Sequence, residues 1–200
     1  MTVLGIDPGT TESGISLIGG NYDIYESHKI PSLDVVQFIR NAMPSVVVCE
    51  SIQAYGMAVG REVFETCYWI GEYRQACRQC GVPFVLYPRP EYARAIAGVQ
   101  KVTDAVLRQA LLLRFGGDKK GQPLFKLKGS TDQRSAFAVA CYHIDKSGLF
   151  ILRQRLLSDS MKFQNVDVAY IVQEVVMEAV AIGGLMCMCY GFWVRFRKGF

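Results

Sequence analysis

The architecture is set by the segment VLGIDPG at residues 3–9, in which a short apolar run ends in an acidic turn. Residues 3–6 predict a buried strand, and Asp7-Pro8-Gly9 predicts the turn that ends it. A second apolar run, VVVC at residues 46–49, ends in the same way at Glu50. The two runs therefore predict buried strands that each carry an acidic side chain at the carboxyl end.

The segments around these runs predict a mixed α/β fold. Residues 14–18 and 22–30 flank Gly19-Gly20-Asn21, which predicts a hairpin whose glycines take positive φ. Residues 82–87 predict a further short strand, ended by Pro88-Arg89-Pro90. Helices are predicted from Ser32 with Leu33, Val36 and Ile39 on one face, over residues 61–80, over residues 104–115 after an N-cap at Thr103, and over residues 132–146. We therefore expect a mixed five-stranded sheet with helical crossovers.

The chain divides into two predicted regions. Residues 1–150 contain every element that such a domain needs, and residues 151–200 form a C-terminal extension. Residues 175–194 contain one acid, Glu178, and precede a basic cluster at 195–198, which meets the length rule for a membrane span. A packed or aberrant apolar helix is the interpretation we favour for this segment.

Composition indicates a globular protein. Of 200 residues, 50% are hydrophobic and 20% are charged, which excludes wholesale disorder, a collagen-like repeat and a coiled coil. The amino terminus has no signal-peptide pattern, so we expect the seven cysteines to be free thiols in a reducing compartment. Cys77 and Cys80 form a CxxC motif without the second ligand pair of a structural zinc site.

The positive charge is unevenly distributed. The chain carries a net charge of +4, but residues 89–128 contain nine basic and three acidic residues, a local charge of +6. A basic field of this size favours a polyanionic partner. A solvated basic helix face explains the charge equally well, so composition leaves both interpretations open.

A third acid completes a candidate metal site. Asp132 begins a helix whose Ala136 and Ala140 allow close packing against a sheet. If the two acid-ended strands are parallel neighbours, Asp7, Glu50 and Asp132 meet at the carboxyl edge, where α/β sheets bind ligands. Acids that converge without basic partners repel one another and require a hard cation such as Mg²⁺. Two such ions can activate water and stabilise the leaving oxygen of a phosphodiester.

Each acid also has an ordinary structural interpretation. Asp7 can cap its turn, Glu50 can be an exposed strand end, and Asp132 can favour a helix amino terminus. The order of the acids and their position at strand ends favour the metal site. An acid that points away, or that is ion-paired with an arginine, would contradict the hydrolytic interpretation.

Three motifs together resemble the RuvC-type Holliday-junction resolvases over about residues 1–147. They are GIDPGT at 5–10 with Ser13-Gly14, VVCE ending at Glu50, and DQRSAFAVACYH at 132–143. The stretches GMAVGREVFET at 56–66 and RQALLLRFG at 108–116 are similar to bacteriophage versions.

The resemblance implies an RNase H-like fold and a homodimer that nicks opposed strands of branched, four-way DNA. It implies Mg²⁺ or Mn²⁺ as cofactor, with two ions per site, and a cytoplasmic location in a bacterial or phage-infected cell. Asp7, Glu50 and Asp132 match the first, second and third acids of the family and are the expected catalytic and metal-binding residues.

The chain departs from the family pattern at two positions. Ser135 stands where the family has an acid or a histidine, which leaves one metal position weaker. Gln53 stands where the bacterial enzymes have an aromatic residue, and Tyr55 or Met57 in the same loop is the expected replacement.

The expected DNA contacts lie in the basic segment and in this loop. We expect the lysines to lie near the active edge and to hold phosphates, although exposed loop lysines with no such role would look the same. The candidates are Arg94, Lys101, Lys126, Lys128 and Tyr55.

Two other functions are compatible with the sequence. The loop DPGTT at residues 7–11 also resembles the phosphate loop of actin and the sugar kinases, so an ATP-binding module is one alternative. That superfamily needs two lobes, and 150 residues supply one. The other alternative, suggested by Ser135, is a junction-binding protein whose catalytic site has decayed.

Overall fold

The computed structural model describes residues 1–54, 56, 58–127 and 129–162, with side chains described as far as residue 148. The chain separates into two units, Met1–Leu149 and Phe150–Phe200. Five strands and five helices make up the described part, together with a 3₁₀ turn at Phe125–Leu127. The strands are β1 (Thr2–Asp7), β2 (Glu12–Gly19), β3 (Ile24–Pro31), β4 (Val46–Ser51) and β5 (Phe84–Pro88). The helices are α1 (Ser32–Ala42), α2 (Arg61–Cys80), α3 (Arg89–Ala97), α4 (Asp104–Phe115) and α5 (Thr131–Lys162).

The sheet has the strand order β3-β2-β1-β4-β5. The pairs β1/β2 and β2/β3 are antiparallel, whereas β1/β4 and β4/β5 are parallel. The expected mixed five-stranded sheet flanked by helices is therefore confirmed. It places the ends of β1 and β4 side by side at the centre of the sheet.

The sheet is covered on both faces, which explains why its central strands are apolar throughout. Leu4 and Ile6 point into a core shared with α1 and α2. Val3 and Val48 point into the opposite core, which contains residues of α3, α4 and α5. Side chains alternate between faces along a strand, so Gly5 and Asp7 lie on the same face as Val3.

Glycines in β1 and β2 allow α5 to touch the sheet. A Cβ on Gly5 would lie 1.9 Å from the carbonyl oxygen of Ala136, and a Cβ on Gly14 would lie 2.4 Å from the carbonyl carbon of Asp132. Ala136 and Ala140 are fully buried at this contact. The close packing expected from the small residues of this helix is confirmed, and it fixes where α5 begins.

Several local predictions were wrong. Positive φ in the β2–β3 turn falls on Tyr22 (φ 68°), and neither Gly19 nor Gly20 adopts it. Leu33 is 67% exposed, because α1 turns Val35 and Ile39 towards the sheet instead.

The most consequential error concerns residues 88–90, which were expected only to end a strand but also begin a helix. Pro88 acts as the N-cap of α3, and Pro90 lies in its first turn, where proline is well tolerated. This helix was not predicted from the sequence.

The C-terminal segment is largely outside the described residues. No helix in the described part of the chain is long and apolar enough to cross a bilayer. Residues 175–194, for which a membrane contact was considered, lie outside that part, and so do Cys187 and Cys189. The five cysteines that the structure describes are free thiols.

Candidate active site

Asp7 and Asp132 are brought together by strand register and by glycine. Asp7 pairs with Gly14 across β1 and β2. The backbone of Asp132 rests directly on Gly14, at a distance that leaves no room for a side chain there. The first turn of α5 therefore lies against the end of β1, although Asp132 comes 125 positions after Asp7 in the sequence.

Glu50 reaches the same edge through the parallel pairing of β1 and β4. Ile6 pairs with Cys49, so Asp7 and Glu50 follow a matched pair of residues and emerge next to each other. The Glu50 side chain is only 13% exposed. Burial raises its pKa, while a hydrogen bond from Tyr92 Oη to Oε2 (2.5 Å) and the nearby Arg89 oppose this shift.

The three acids form one electrostatic group centred on Asp7. Burial, then the charge of Glu50, then the charge of Asp132 raise the pKa of Asp7 to about 8, with Arg89 and Ser135 acting in the opposite direction. Among the described residues, no cation forms an ion pair with Asp7. Without a cation, the Asp7 carboxyl is therefore held mainly in its neutral form at pH 7, and a bound cation would favour its ionised form.

Asp132 has a basic partner, which the sequence did not lead us to expect. Lys29 Nζ lies 3.0 Å from Asp132 Oδ2 and 3.5 Å from Glu12 Oε2. Partial burial opposes ionisation of Asp132, but the Lys29 ammonium and the hydroxyls of Thr131 and Ser130 together lower its pKa. Asp132 is thus held as a carboxylate, with an ammonium group beside it.

Glu50 has a basic partner as well, and this one is an arginine. Arg89 Nη1 lies 3.5 Å from Glu50 Oε2 and donates a hydrogen bond to Ser135 Oγ at 3.0 Å. Its Nη2 pairs with Asp104 at the start of α4. The expectation of three acids without basic partners was therefore wrong, because the unpredicted helix α3 brings a guanidinium to the carboxyl edge. The ion pair between Glu50 and Arg89 contradicts the hydrolytic interpretation at Glu50, so that interpretation rests on Asp7 and Asp132.

The contacts of Lys29 and Arg89 limit where a metal ion could bind. Among the side chains that the structure describes, no three Asp, Glu, His or Cys residues form a ready-made metal-binding cluster. A cleft of about 250 Å³ is lined by Asp7, Glu12, Lys29, Asp132 and the loop residues 8–11. Glu50 does not line it. The oxygen donors of Asp7 and Asp132 fit one hard divalent cation, whereas the Glu50 side of the site already contains the charge of Arg89.

The loop after β1 is anchored by a buried hydroxyl network. Ser13 Oγ accepts a hydrogen bond from the Gly9 amide (3.1 Å) and contacts Ser32 Oγ (3.0 Å) and Tyr73 Oη (2.9 Å). Ser13, Ser32 and Tyr73 are all essentially fully buried. The network fixes the loop beside Asp7, so these three are positioning residues that the sequence analysis missed.

Helix α2 also holds this loop. Trp69 donates its indole N–H to the carbonyl oxygen of Thr10 at 2.8 Å. A polar residue inside an apolar strand, such as Ser13, was the available signal for the hydroxyl network. Nothing in the sequence spacing links Trp69 to Thr10, since the contact depends on how α2 crosses the sheet.

The expected DNA contacts do not all gather at this edge. Lys101 is exposed just before α4, and Arg94 on α3 donates to the carbonyl oxygen of Gln100 (3.0 Å). Lys126 was expected near the active edge, but its ammonium donates to the carbonyl oxygens of Ile24 and Tyr25, at the opposite end of the β2–β3 hairpin. Tyr55 and Lys128 lie outside the described residues, so their roles stay predictions.

Comparison with solved structures defines the fold. RuvC from Thermus thermophilus superposes with a TM-score of 0.60 at 17% identity, covering 74% of this chain and 96% of that one. T. thermophilus RuvC in complex with a Holliday junction substrate gives 0.56 at 19% identity, covering 72% and 92%. The yeast mitochondrial Holliday junction resolvase Ydc2 gives 0.50 at 13% identity, covering 71% and 77%.

The chain has the RNase H-like fold, with its acids at the carboxyl edge of the sheet. Within that class, its fold is that of the RuvC-type Holliday junction resolvases. No protein-family model matches the sequence, and no curated protein matches it by sequence.

The site also bears on the ATP-binding alternative. The described residues form a single five-stranded sheet, and they supply no second lobe to close over a nucleotide. Three acids and one lysine line the cleft at the DPGTT loop. The acids of this lining favour a cation in the cleft.

Proposed function

We propose that this protein is a metal-dependent endonuclease that cuts branched DNA, with four-way (Holliday) junctions as its substrate. The observation that carries the proposal is the grouping of Asp7, Glu50 and Asp132 around the ends of β1 and β4 in a chain with the RuvC fold. One of the similar solved structures contains a Holliday junction substrate.

The proposed reaction is hydrolysis of a phosphodiester. The oxygen of water bonds to phosphorus, one P–O ester bond breaks, and the water's proton ends on the leaving oxygen. A divalent cation supplies positive charge that polarises the phosphate and lowers the pKa of water. Asp7 and Asp132 are the residues we expect to hold it, and the backbone of residues 8–11 shapes the cleft in which the phosphate lies.

We expect Lys29 to contact the DNA phosphate. Its ammonium lies between Glu12 and Asp132 and lines the same cleft as Asp7. A phosphate that enters the cleft can accept a hydrogen bond from this ammonium, which then exchanges one anionic partner for another. Lys29 therefore replaces Lys126 as the lysine expected to contact DNA at the active edge.

We further propose that the protein acts as a homodimer in the cytoplasm of a bacterial or phage-infected cell. Each protomer offers one site, and cutting two opposed strands requires two. Phe64 and Tyr68 are 53% and 73% exposed one turn apart on α2 and form an apolar strip. An exposed apolar strip of this kind favours burial against a second copy.

The test uses an end-labelled synthetic four-way junction and a linear duplex of the same sequence. We expect Mg²⁺ or Mn²⁺ to produce paired nicks in the junction only, and chelation with EDTA to stop cutting while binding persists. Equal cutting of duplex and junction would reject junction selectivity, and metal-independent cutting would reject the hydrolytic mechanism.

One observation favours a second candidate, a junction-binding protein that does not cut. Arg89 is ion-paired with Glu50 and hydrogen-bonded to Ser135, and a positive charge there competes with a metal ion. The same labelled junction distinguishes the two functions. Tight binding with no nicks at any Mg²⁺ or Mn²⁺ concentration would establish the non-cutting protein.

A further inference from the structure

Arg89 has more partners at the candidate active site than any of the three acids. Its Nη1 lies within 3.5 Å of Ser135 Oγ, Tyr92 Oη and Glu50 Oε2. Its Nη2 pairs with Asp104. The side chain is 31% exposed, so most of its surface is withdrawn from water.

The position of Arg89 is fixed by the backbone. Ser51 pairs with Pro88 across β4 and β5, so Arg89 follows directly after the strand that lies beside Glu50. It is the first residue of α3, and Pro90 stiffens this turn. The first turn of α3 therefore holds the positively charged guanidinium at the carboxyl edge of the sheet.

The site has two electrostatically different sides. On one side, Asp7 and Asp132 face a cleft of about 250 Å³, and the Lys29 ammonium 3.0 Å from Asp132 has to leave that carboxylate when a cation binds there. On the other, Glu50 faces Arg89 and Tyr92, and the Ser135 hydroxyl, which also hydrogen-bonds Asp7, accepts from Arg89. A serine oxygen that already accepts from a guanidinium is a poor ligand for a second positive charge, since the two cations repel each other.

We propose that the Arg89 guanidinium takes the place of one metal ion, so that each protomer binds a single divalent cation between Asp7 and Asp132. The inference rests on the proposed metal-dependent function and specifies its metal requirement. It is also consistent with Ser135, whose neutral hydroxyl accepts a hydrogen bond from the guanidinium (3.0 Å) and is a weaker ligand for a hard metal ion than an acid would be.

An ordinary ion pair between Arg89 and Asp104 is the competing explanation. Asp104 is largely exposed, with 63% of its side chain in solvent, and an exposed pair contributes little to stability. That pair also leaves the Nη1 contacts to Ser135, Tyr92 and Glu50 unexplained. Glu50 lies at the end of β4 and Ser135 lies one turn after Asp132 on α5, which favours a role for Arg89 within the site.

The test counts bound ions in the full-length protein without DNA. Mn²⁺ is titrated in, and the free ion is followed by its electron paramagnetic resonance signal. We expect one Mn²⁺ per protomer in the wild type and two in Arg89→Gln, where Glu50 regains an unpaired charge. Arg89→Lys retains the charge and is expected to bind one.

Arg108→Gln is the matched control, because Arg108 also pairs with an acid, Asp118, but lies away from the three acids. It is expected to bind one Mn²⁺. Circular dichroism checks that each variant is folded, and Arg89→Met, with a stem of similar length, replaces Arg89→Gln if the latter fails to fold.

Two ions in the wild type, none in the wild type, or one ion in the charge-removing variant would each overturn the inference. The count is independent of cleavage. If the wild type binds one ion but does not cut DNA, the nuclease function is rejected and the single-ion inference stands. If the wild type cuts DNA and binds two ions, the nuclease function stands and the single-ion inference is rejected.

Discussion

Arg89 on α3 donates a 3.0 Å hydrogen bond to Ser135 on α5, although the two residues are 46 positions apart in the sequence. The bond crosses the carboxyl edge of the sheet beside Glu50. It links Ser135, where the family that the sequence resembles is expected to have an acid or a histidine, to an arginine that also contacts Glu50. Ser135 and Arg89 are therefore best understood as a pair.

Asp7→Asn is expected to abolish DNA cleavage without weakening junction binding or the fold. The substitution removes a metal-binding charge, so cleavage of a labelled junction should fall by at least about 100-fold. Junction affinity in EDTA should be unchanged, because the basic surface is intact. Cutting at the wild-type rate would show that Asp7 is not a catalytic ligand.

The same variant should be more stable than the wild type in the absence of metal. Burial and neighbouring acids raise the pKa of Asp7 to about 8, so this group destabilises the folded state at neutral pH. We expect a gain of about 1–2 kcal/mol on substitution. Guanidinium unfolding at pH 7 in EDTA measures it, and a loss of stability would contradict this electrostatic account.

Gly14→Ala is expected to damage the site through the backbone. The added Cβ would lie 2.4 Å from the carbonyl carbon of Asp132, so the start of α5 has to shift. We expect a loss of about 1–3 kcal/mol in unfolding free energy and weaker Mn²⁺ binding. Gly148→Ala on the same helix is the control, because nothing lies within 4 Å of its added Cβ.

Tyr68→Glu is expected to convert a dimer into monomers. A charge in the apolar strip of α2 would be buried without a partner if a second copy covers it. Sedimentation velocity measures the change. Leu113→Glu on α4 alters another exposed apolar residue and should leave the assembly state unchanged. A monomeric wild type would reject the proposed homodimer.

Lys101→Gln is expected to weaken junction binding through loss of a phosphate contact. Lys101 is exposed beside the start of α4, and the slope of log affinity against log salt should fall by about 1. Lys126→Gln is the comparison, because its ammonium is engaged by the carbonyls of Ile24 and Tyr25. An equal loss in both variants would show that Lys126 also contacts DNA.

His143 is expected to make the fold sensitive to mild acid. Burial, then the charge of Lys146, lower the pKa of this imidazole below its ordinary value of 6.5, and Tyr87 Oη is bonded to its Nδ1 at 2.9 Å. The unfolded chain therefore binds more protons just below pH 6.5, so stability falls as the pH falls through this window. Thermal unfolding of His143→Gln from pH 5 to 7 should show a flatter profile than the wild type.

The sequence was informative where one local pattern determined the structure. Apolar runs ending in Asp7 and Glu50 identified the two central strands and their acidic ends, and Ala136 with Ala140 indicated the close contact of α5. Helix α4 begins at Asp104 after a Thr103 cap, as predicted, because the cap is a local interaction.

The charge balance of the site could not be predicted in the same way. Lys29 reaches Asp132, and Arg89 reaches Glu50 and Ser135, only after strand pairing and helix packing have brought distant segments together. The segment Pro88-Arg89-Pro90 has the composition of a turn, yet the proline at the second helical position fits the start of α3. Because α3 was not predicted, the sequence analysis could not place Arg89 at the site.

The indole of Trp69 gives the protein a spectroscopic probe of its own. The chain has two tryptophans, and Trp69 donates to the carbonyl oxygen of Thr10 in the loop next to Asp7. In Trp193→Phe, emission would come from this indole alone. Its wavelength and quenching would then report loop movement directly when ions or nucleic acid are added, without an attached dye.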